Sequence, residues 1–297
     1  MSIRSLVSRS QEDAASTSSS APRPSAPSVE AAQPIVKWAG GKRRIMADLC
    51  SRLPARYDRY FEPFFGGGAL FFQLQPEIAR ISDVNGELVN LYQVTRDQVE
   101  ALIDDLQRHR YERTYYYAMR ATDPNTLTPV QRASRTIYLN RTCFNGLYRV
   151  NRRGQFNVPM GRYQDPVICQ PERLRAVSAL LASTDIRQAD FSWVLDEARP
   201  GDFVYFDPPY QPLSPTANFT SYASGDFSEK DQAHLAEVYA ALARRGVNCM
   251  LSNSDTPLVR ELYADFRCDQ VFAPRAISRD GGSRQAVAEV IVLSYTP

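Results

Sequence analysis

The tetrapeptide Asp207-Pro208-Pro209-Tyr210 closes the apolar and aromatic run Phe203-Val204-Tyr205-Phe206. Two successive prolines carry no N–H, so a sheet ladder cannot continue through them, and their rings hold the backbone rigid. An amino nitrogen conjugated to an aromatic ring is a poor nucleophile because its lone pair is delocalised. Two acceptors placed around it would hold its hydrogens and turn the lone pair toward an electrophile. Asp207 offers one acceptor, the Pro208 carbonyl a second, and Tyr210 a face on which a flat base can stack. The stretch therefore reads as a device for orienting an exocyclic amine on an aromatic ring. The plainer alternative is a strand-ending turn with a half-exposed tyrosine.

A second motif lies upstream, in "FEPFFGGGALFF". Phe64-x-Gly66-x-Gly68 stands between a strand candidate and a helix candidate, where glycines let a cofactor approach the backbone at a helix start. Asp83 ends the next strand candidate, a position from which an acid can hold ribose hydroxyls. A phosphate-binding P-loop is excluded, because Val36 occupies its required glycine position and Arg43 follows Lys42. Of 35 basic residues only Lys37, Lys42 and Lys230 are lysines, and two of these sit in "VKWAGGK". Those two sites call for a compact ammonium that a planar guanidinium does not replace.

These residues need strands and helices to hold them. "RYFEPF", "ARISDVN", "TDIRQADF", "DFVYFDPP", "VNCMLSN" and "EVIVLSY" read as strands, and "GGGALFFQLQ" as a short helix ending before Pro76. Ser228 and Asp231 form a capping box for a helix with Leu235, Val238, Tyr239 and Leu242 at helical spacing, closed by Gly246. Thr256-Pro257 opens another helix. Strands alternating with helices predict an α/β fold, a mostly parallel sheet covered on both faces.

The middle of the chain breaks this rhythm. Val99, Leu102, Ile103 and Leu106 mark one helix, and Thr128-Pro129 opens a second through about Asn140. "GLYRVNRRGQFNVPMGRY" reads as a hairpin turning near Gly154. Between Arg132 and Arg162 stand Arg135, Arg141, Arg149, Arg152 and Arg153 with no acid, interleaved with Phe144, Tyr148 and Phe156. Facing a pocket for a base, such a stretch reads as a phosphate and groove contact surface; in isolation it would be a solvated basic face. The predicted organisation is a Ser/Ala/Pro-rich disordered tail over 1–33, a catalytic domain in two parts over 34–85 and 171–297, and an inserted recognition domain over 86–170.

Composition bounds the rest. The net charge is +2, so affinity for nucleic acid must come from a local patch. The 5 cysteines are scattered without a C-x-x-C pair and the histidines number 2, which argues against a disulfide framework or a metal site and fits a reduced, cytoplasmic setting. Without a long apolar run, a membrane span is not expected.

The motifs together resemble those of the DNA adenine methylase family, the D12-class N6-adenine methyltransferases. The matching blocks are "VKWAGGK", "FEPFFGGGALFF", "SDVN", "NRTCFNGLYRVNRRGQFNVPMGRY", "FDPPYQPLSPTANFTSY", "SNSDT" and "ISRDGGSRQ", in the family's order from Ile35 to Tyr295. The resemblance implies a class I methyltransferase sheet, doubly wound, with an inserted helical target-recognition domain. It implies S-adenosyl-L-methionine as cofactor, contacted by Trp38, Lys42, Phe64, Gly66, Asp83, Asp207 and, with a weaker motif match, Asp190. Asp207, Pro208, Pro209 and Tyr210 become the catalytic motif. Lys37, Leu147, Arg149 and Pro159 match positions that read bases, and Arg162 a phosphate contact. Phe144 stands where relatives carry a residue that slides between bases, usually tyrosine. The implied activity is methylation of adenine N6 in double-stranded DNA at GATC by a monomeric, metal-free enzyme encoded by a bacterium or phage. The same chemistry on cytosine N4, RNA adenine or a protein glutamine, or a decayed DNA-binding protein, are the alternatives; the intact D-P-P-Y and F-x-G-x-G speak against decay.

Overall fold

The computed structural model describes residues 31–212, 227–273 and 287–297. The expected tail up to residue 30, the continuation of the D-P-P-Y block beyond residue 212 and the "ISRDGGSRQ" block lie outside them.

Among the described residues seven strands form one sheet: β1 Tyr60–Glu62, β2 Ala79–Asp83, β3 Thr184–Gln188, β4 Phe203–Phe206, β5 Asn248–Ser254, β6 Arg267–Ala273 and β7 Val287–Leu293, in the order β3-β2-β1-β4-β5-β7-β6. The first five pair in parallel, and β7 lies antiparallel between β5 and β6. The described helices are α1 Met46–Cys50, α2 Ala69–Leu74, α3 Gly86–Asp97, α4 Val99–Leu106, α5 Arg113–Ala121, α6 Pro129–Thr142, α7 Pro171–Leu181, α8 Val194–Glu197, α9 Glu229–Arg244 and α10 Pro257–Leu262.

The period of two along each strand divides the core. Phe203 and Tyr205 of β4 join a cluster with Tyr60, Ile81, Leu88 and Leu91, beneath α3, α4, α6 and α7. Val204 and Phe206 face the other way, onto Leu235, Val238, Tyr239 and Leu242 of α9 and Val259 of α10. Every residue of β4 is buried, as a central strand covered on both faces requires. The expected α/β sheet is therefore present, with an antiparallel edge.

Local chemistry starts the helices where it was expected to. The Ser228 hydroxyl accepts the Asp231 N–H and the Asp231 carboxylate accepts the Ser228 N–H. Thr128 and Gln131 do the same at α6, and Thr256 caps α10 before Pro257. Six elements were not foreseen: α1, α3, α5, α7, α8 and β6. β6 lies at the sheet's edge with Phe272 exposed, and its polar first half, Arg267 to Gln270, hides a strand's pattern. Helix α7 begins at Pro171 and buries Leu174, Val177 and Leu181, a legible helical spacing. Helix α3 is capped by the Asn85 side chain, which accepts the Glu87 and Leu88 N–H groups, and packs on β2, β3, α6 and α7.

Beyond α6 the chain forms a short arm. Isolated antiparallel bridges join Val150 to Phe156 and Cys143 to Met160. Gly154, at φ 73°, makes the turn expected there. A third apolar cluster of Tyr116, Tyr138, Leu139, Cys143, Phe156 and Val158 supports the arm from α5 and α6.

Candidate active site and recognition arm

The strand order reverses between β1 and β4: from β1 the chain proceeds outward to β2 and β3, and from β4 it proceeds the other way to β5. The crevice at the carboxyl ends of such a strand pair is where open α/β sheets bind ligands. Phe64-x-Gly66-x-Gly68 follows β1 and Asp207-Pro208-Pro209-Tyr210 follows β4, so the fold brings both motifs to that crevice.

Lys42 joins them. Its side chain is 4% exposed, with Nζ 2.6 Å from Asp207 Oδ1. The ammonium also donates to the Gly40 carbonyl at 2.5 Å and sits 4.6 Å from the centre of the Tyr210 ring. A point charge with three donors satisfies a carboxylate, a carbonyl and a ring face within this space, which a guanidinium fork would not. Ser252 of β5 donates to the same Asp207 oxygen at 3.1 Å. Burial pushes the Asp207 carboxyl up, and Lys42 and Ser252 pull it back toward the ionised form. The Tyr210 hydroxyl donates to Glu289 Oε2 at 2.9 Å from β7. Burial holds this phenol well above its ordinary pKa, so it remains a neutral donor.

Asp83 closes the β2 end. Its Oδ2 accepts the Gly66 N–H and its Oδ1 the Asn85 N–H, both at 2.9 Å, leaving lone pairs for further donors. The reasons for glycine differ along the F-x-G-x-G turn. A Cβ on Gly68 would meet the Phe65 ring at 2.5 Å, so that glycine serves packing. A Cβ on Gly66 would meet Trp38 Cδ1 at 3.0 Å, so Gly66 makes room for the indole. Phe64 is half-buried and stacks on Phe191 at 5.3 Å. Asp190, the residue before Phe191, is exposed and caps a single turn by accepting the Ser192 N–H at 2.9 Å. The crevice therefore gathers Trp38, Lys42, Asp83, Asp207 and Tyr210, with Phe64 and Asp190 at its β3 side.

Glu62, at the end of β1, was not singled out by its sequence. It is 2% exposed and accepts the Tyr60 hydroxyl at 2.8 Å. Burial drives its carboxyl well above the ordinary range, Asp207 adds to the shift and Lys42 opposes it. Glu289, Ser252, Gln232 and Asn253 were missed in the same way, because each gains its meaning only from the neighbour the fold supplies.

The arm presents Phe144 and Leu147, 50% and 39% exposed, side by side with Pro159, whose carbonyl accepts the Phe144 N–H at 2.9 Å. Lys37 and Arg162 are exposed. Arg149 is half-buried, donating to Asn157 Oδ1 at 2.6 Å. The basic stretch does not act as one surface. Arg135 is buried and donates to the Met119 and Arg120 carbonyls, Arg141 to the Ile35 carbonyl, and Arg132 pairs with Glu87. These three are spent on internal contacts, which leaves Arg149, Arg152, Arg153 and Arg162 as the outward-facing or half-exposed charges of the arm.

Asn140 fastens the arm to the crevice. It is buried, accepts the Lys37 N–H at 2.8 Å, and donates to the Lys37 carbonyl at 2.8 Å and the Gly146 carbonyl at 3.0 Å. Trp38 in turn stacks on Tyr148 of the arm at 4.8 Å. A flat binding crevice thus abuts a surface able to enter a groove.

The family model for D12 class N6 adenine-specific DNA methyltransferases matches residues 38–277, spanning both motifs, the helices between them and the arm. The chain belongs to this family. It is 44% identical over 271 residues to the type II methyltransferase M1.LlaDCHI of Lactococcus lactis subsp. cremoris, covering 89% of this chain and 95% of that one. It is 39% identical over 286 residues to the type II methyltransferase M.MjaIII of Methanocaldococcus jannaschii, covering 89% and 99%. The DNA adenine methylase of Escherichia coli K12 is 35% identical over 267 residues, covering 89% and 95%. This D12-class chain is therefore an N6-adenine DNA methyltransferase with a class I methyltransferase sheet, and DNA is its substrate. Among the described residues no helix is long and apolar enough to cross a membrane, and no group of three or more His, Cys, Asp or Glu could hold a metal ion.

Proposed function

We propose that this enzyme transfers the methyl group of S-adenosyl-L-methionine to N6 of adenine in double-stranded DNA at GATC. The observation that carries the reading is the placement of Asp207, Pro208 and Tyr210 at the β1–β4 crevice, with Lys42 on the same carboxylate. The residues present fit the cofactor: Gly66 lets the Trp38 indole lie against the glycine turn, and Asp83 keeps acceptor capacity at the end of β2. Asp83 would hold ribose hydroxyls, Trp38, Phe64 and Gly66 would pack on the rest of the molecule, and Asp190 stands on the side of its adenine. When bound, the cofactor supplies an electrophilic methyl on a sulfonium.

The chain's own residues prepare the amine. The adenine is flipped from the duplex and stacks on Tyr210. Asp207 and the Pro208 carbonyl accept the two amino hydrogens, which turns the nitrogen lone pair out of conjugation. Positioning and charge placement then do most of the catalysis, without a covalent enzyme intermediate. The proton leaves after the methyl arrives, so Asp207 need not be a strong base. In recognition, Lys37, Leu147, Arg149 and Pro159 read base edges, Phe144 slides between bases and Arg162 holds a phosphate. The relatives named DNA adenine methylase support the adenine target and the hairpin's "NGLYRVN" supports GATC.

Expression in a host that lacks adenine methylation tests both parts. Plasmid recovered from those cells is cut with enzymes that distinguish methylated from unmethylated GATC. Protection at GATC is expected; unchanged digestion with soluble enzyme present would refute the site, and absence of N6-methyladenine from the digested DNA would refute the reaction.

A further inference from the structure

Two fully buried amides lie behind the catalytic loop. Gln232 faces inward from α9 and Asn253 from β5, and each has 0% of its surface exposed. Gln232 interrupts an otherwise apolar face that carries Leu235, Ala236 and Tyr239. A buried amide in such a place is retained only where its donors and acceptors are met.

They are met in one directional chain. Gln232 Nε2 donates to the Pro209 carbonyl at 3.0 Å. Asn253 Nδ2 donates to Gln232 Oε1 at 3.0 Å. Asn253 Oδ1 accepts the Gln211 N–H at 3.0 Å and the Ser254 N–H at 2.8 Å. Turning either amide over would oppose donor to donor or acceptor to acceptor, so the orientations fix one another. The chain starts at the peptide unit before Tyr210 and ends at the peptide unit after it. A peptide unit is planar, so holding the two units on either side of one Cα sets that residue's φ and ψ. Its Cα–Cβ direction is then fixed, and the hydroxyl bond to Glu289 fixes the far end of the ring.

We propose that Gln232 and Asn253 are positioning residues of the methyl transfer: their linked amides lock the backbone on both sides of Tyr210 and so set the ring face on which the target base stacks. The proposal rests on the reading of Tyr210 as the stacking platform. Neither amide lies on the Trp38–Asp83 side of the crevice or on the arm, so the pair governs the chemical step and not affinity.

The test uses the full-length enzyme with Gln232→Met, which keeps the side chain's length and removes both polar groups. Its single-turnover methylation rate on a GATC duplex should fall ~10-fold or more, by analogy with other displacements of catalytic groups, while equilibrium affinities for S-adenosylmethionine and DNA stay within ~3-fold. A duplex with 2-aminopurine at the target position should fluoresce more strongly in the complex, since a loosened ring quenches it less. Val238→Ala, a buried change on the same helix, controls for lost stability. If Gln232→Met does not fold, Asn253→Ser carries the same test from the other end of the chain. Where both fold, the double variant should be no slower than the slower single variant, because one chain is broken either way. A rate within ~3-fold of the Val238→Ala enzyme would overturn the proposal, as would losses of both affinities equal to the loss of rate. Tyr210→Ala run in parallel keeps the two readings apart: full activity in that variant removes the stacking platform itself, whereas an inactive Tyr210→Ala beside an active Gln232→Met removes only the amide lock.

Discussion

Asp207 combines two demands that conflict in water: it must remain an acceptor, yet it is buried. Lys42 at 2.6 Å and Ser252 at 3.1 Å resolve the conflict by favouring the carboxylate. Asp207→Asn should lower single-turnover methylation by at least ~100-fold, the scale seen when one preorganised polar group is removed, and leave DNA affinity unchanged. Rapid-quench methylation and filter binding measure the two; a rate within a few-fold of wild type would refute the amine-orienting role. Glu62 is pushed the same way as Asp207, and burial dominates there. Its ordinary pKa is 4.5 and burial raises the folded-state value well above that. Above pH 4.5 the unfolded chain loses this proton while the folded chain keeps it, so the group's contribution to stability falls as pH rises toward the folded value. Glutamine has no proton to lose. The melting temperature of Glu62→Gln relative to wild type should therefore climb between pH 4.5 and pH 8, and a constant difference would contradict a carboxyl kept protonated.

Among the elements, the junction between α6 and the glycine-rich entry segment has the most to hold. Asn140, on α6, bonds both backbone groups of Lys37 and the carbonyl of Gly146. Gly146 has φ 67°, and a Cβ there would meet Lys37 Cδ at 2.6 Å, so entry segment and arm are in close contact. Asn140→Ala should cost about 2–3 kcal/mol, since the groups it leaves are partly shielded from water. It should also weaken DNA binding several-fold by freeing the arm. Urea denaturation and DNA titration read the two effects; an unchanged midpoint would show that solvent replaces the amide without loss. His109 shows how an isolated histidine is put to structural use: it stacks on Tyr138 at 4.5 Å and its ring nitrogens meet Tyr115 and Ser134, both at 2.8 Å.

For the molecule as a whole, a net charge of +2 gives little general attraction to DNA, so affinity calls for a local patch, and the outward charges of the arm are the proposed one. Arg149 and Arg162 differ in setting: the first is partly held by Asn157, as a guanidinium aimed at one base edge would be, and the second is exposed. Arg149→Ala should lose roughly 1–3 kcal/mol of discrimination at one guanine. Arg162→Ala should weaken all sequences alike and lower the salt slope by about one. Initial rates on GATC and on each single-base change, at several salt concentrations, distinguish them. The same specificity profile in both variants would overturn the division of labour.

The sequence by itself determined what local rules govern. Continuous apolar runs such as Phe203–Phe206 specify buried strands, Ser228 with Asp231 and Thr128 with Gln131 start helices, and Pro208-Pro209 ends a strand beside an acid and a ring. Those signals suffice for the α/β class and the order of motifs. Edge strand β6 escaped, because an edge needs few apolar residues and its partner β7 follows a long interval in the chain. Only the tertiary structure decided which charges work inside and which face outward. Arg132, Arg135 and Arg141 look the same in sequence as Arg152, Arg153 and Arg162, yet the first three are consumed by carbonyls and a carboxylate that other segments of the fold bring to them. Lys42 meets Asp207, Tyr210 meets Glu289 and Gln232 meets Asn253 for the same reason: a polar contact across a sheet is set by where strands pair, and pairing is a property of the whole chain.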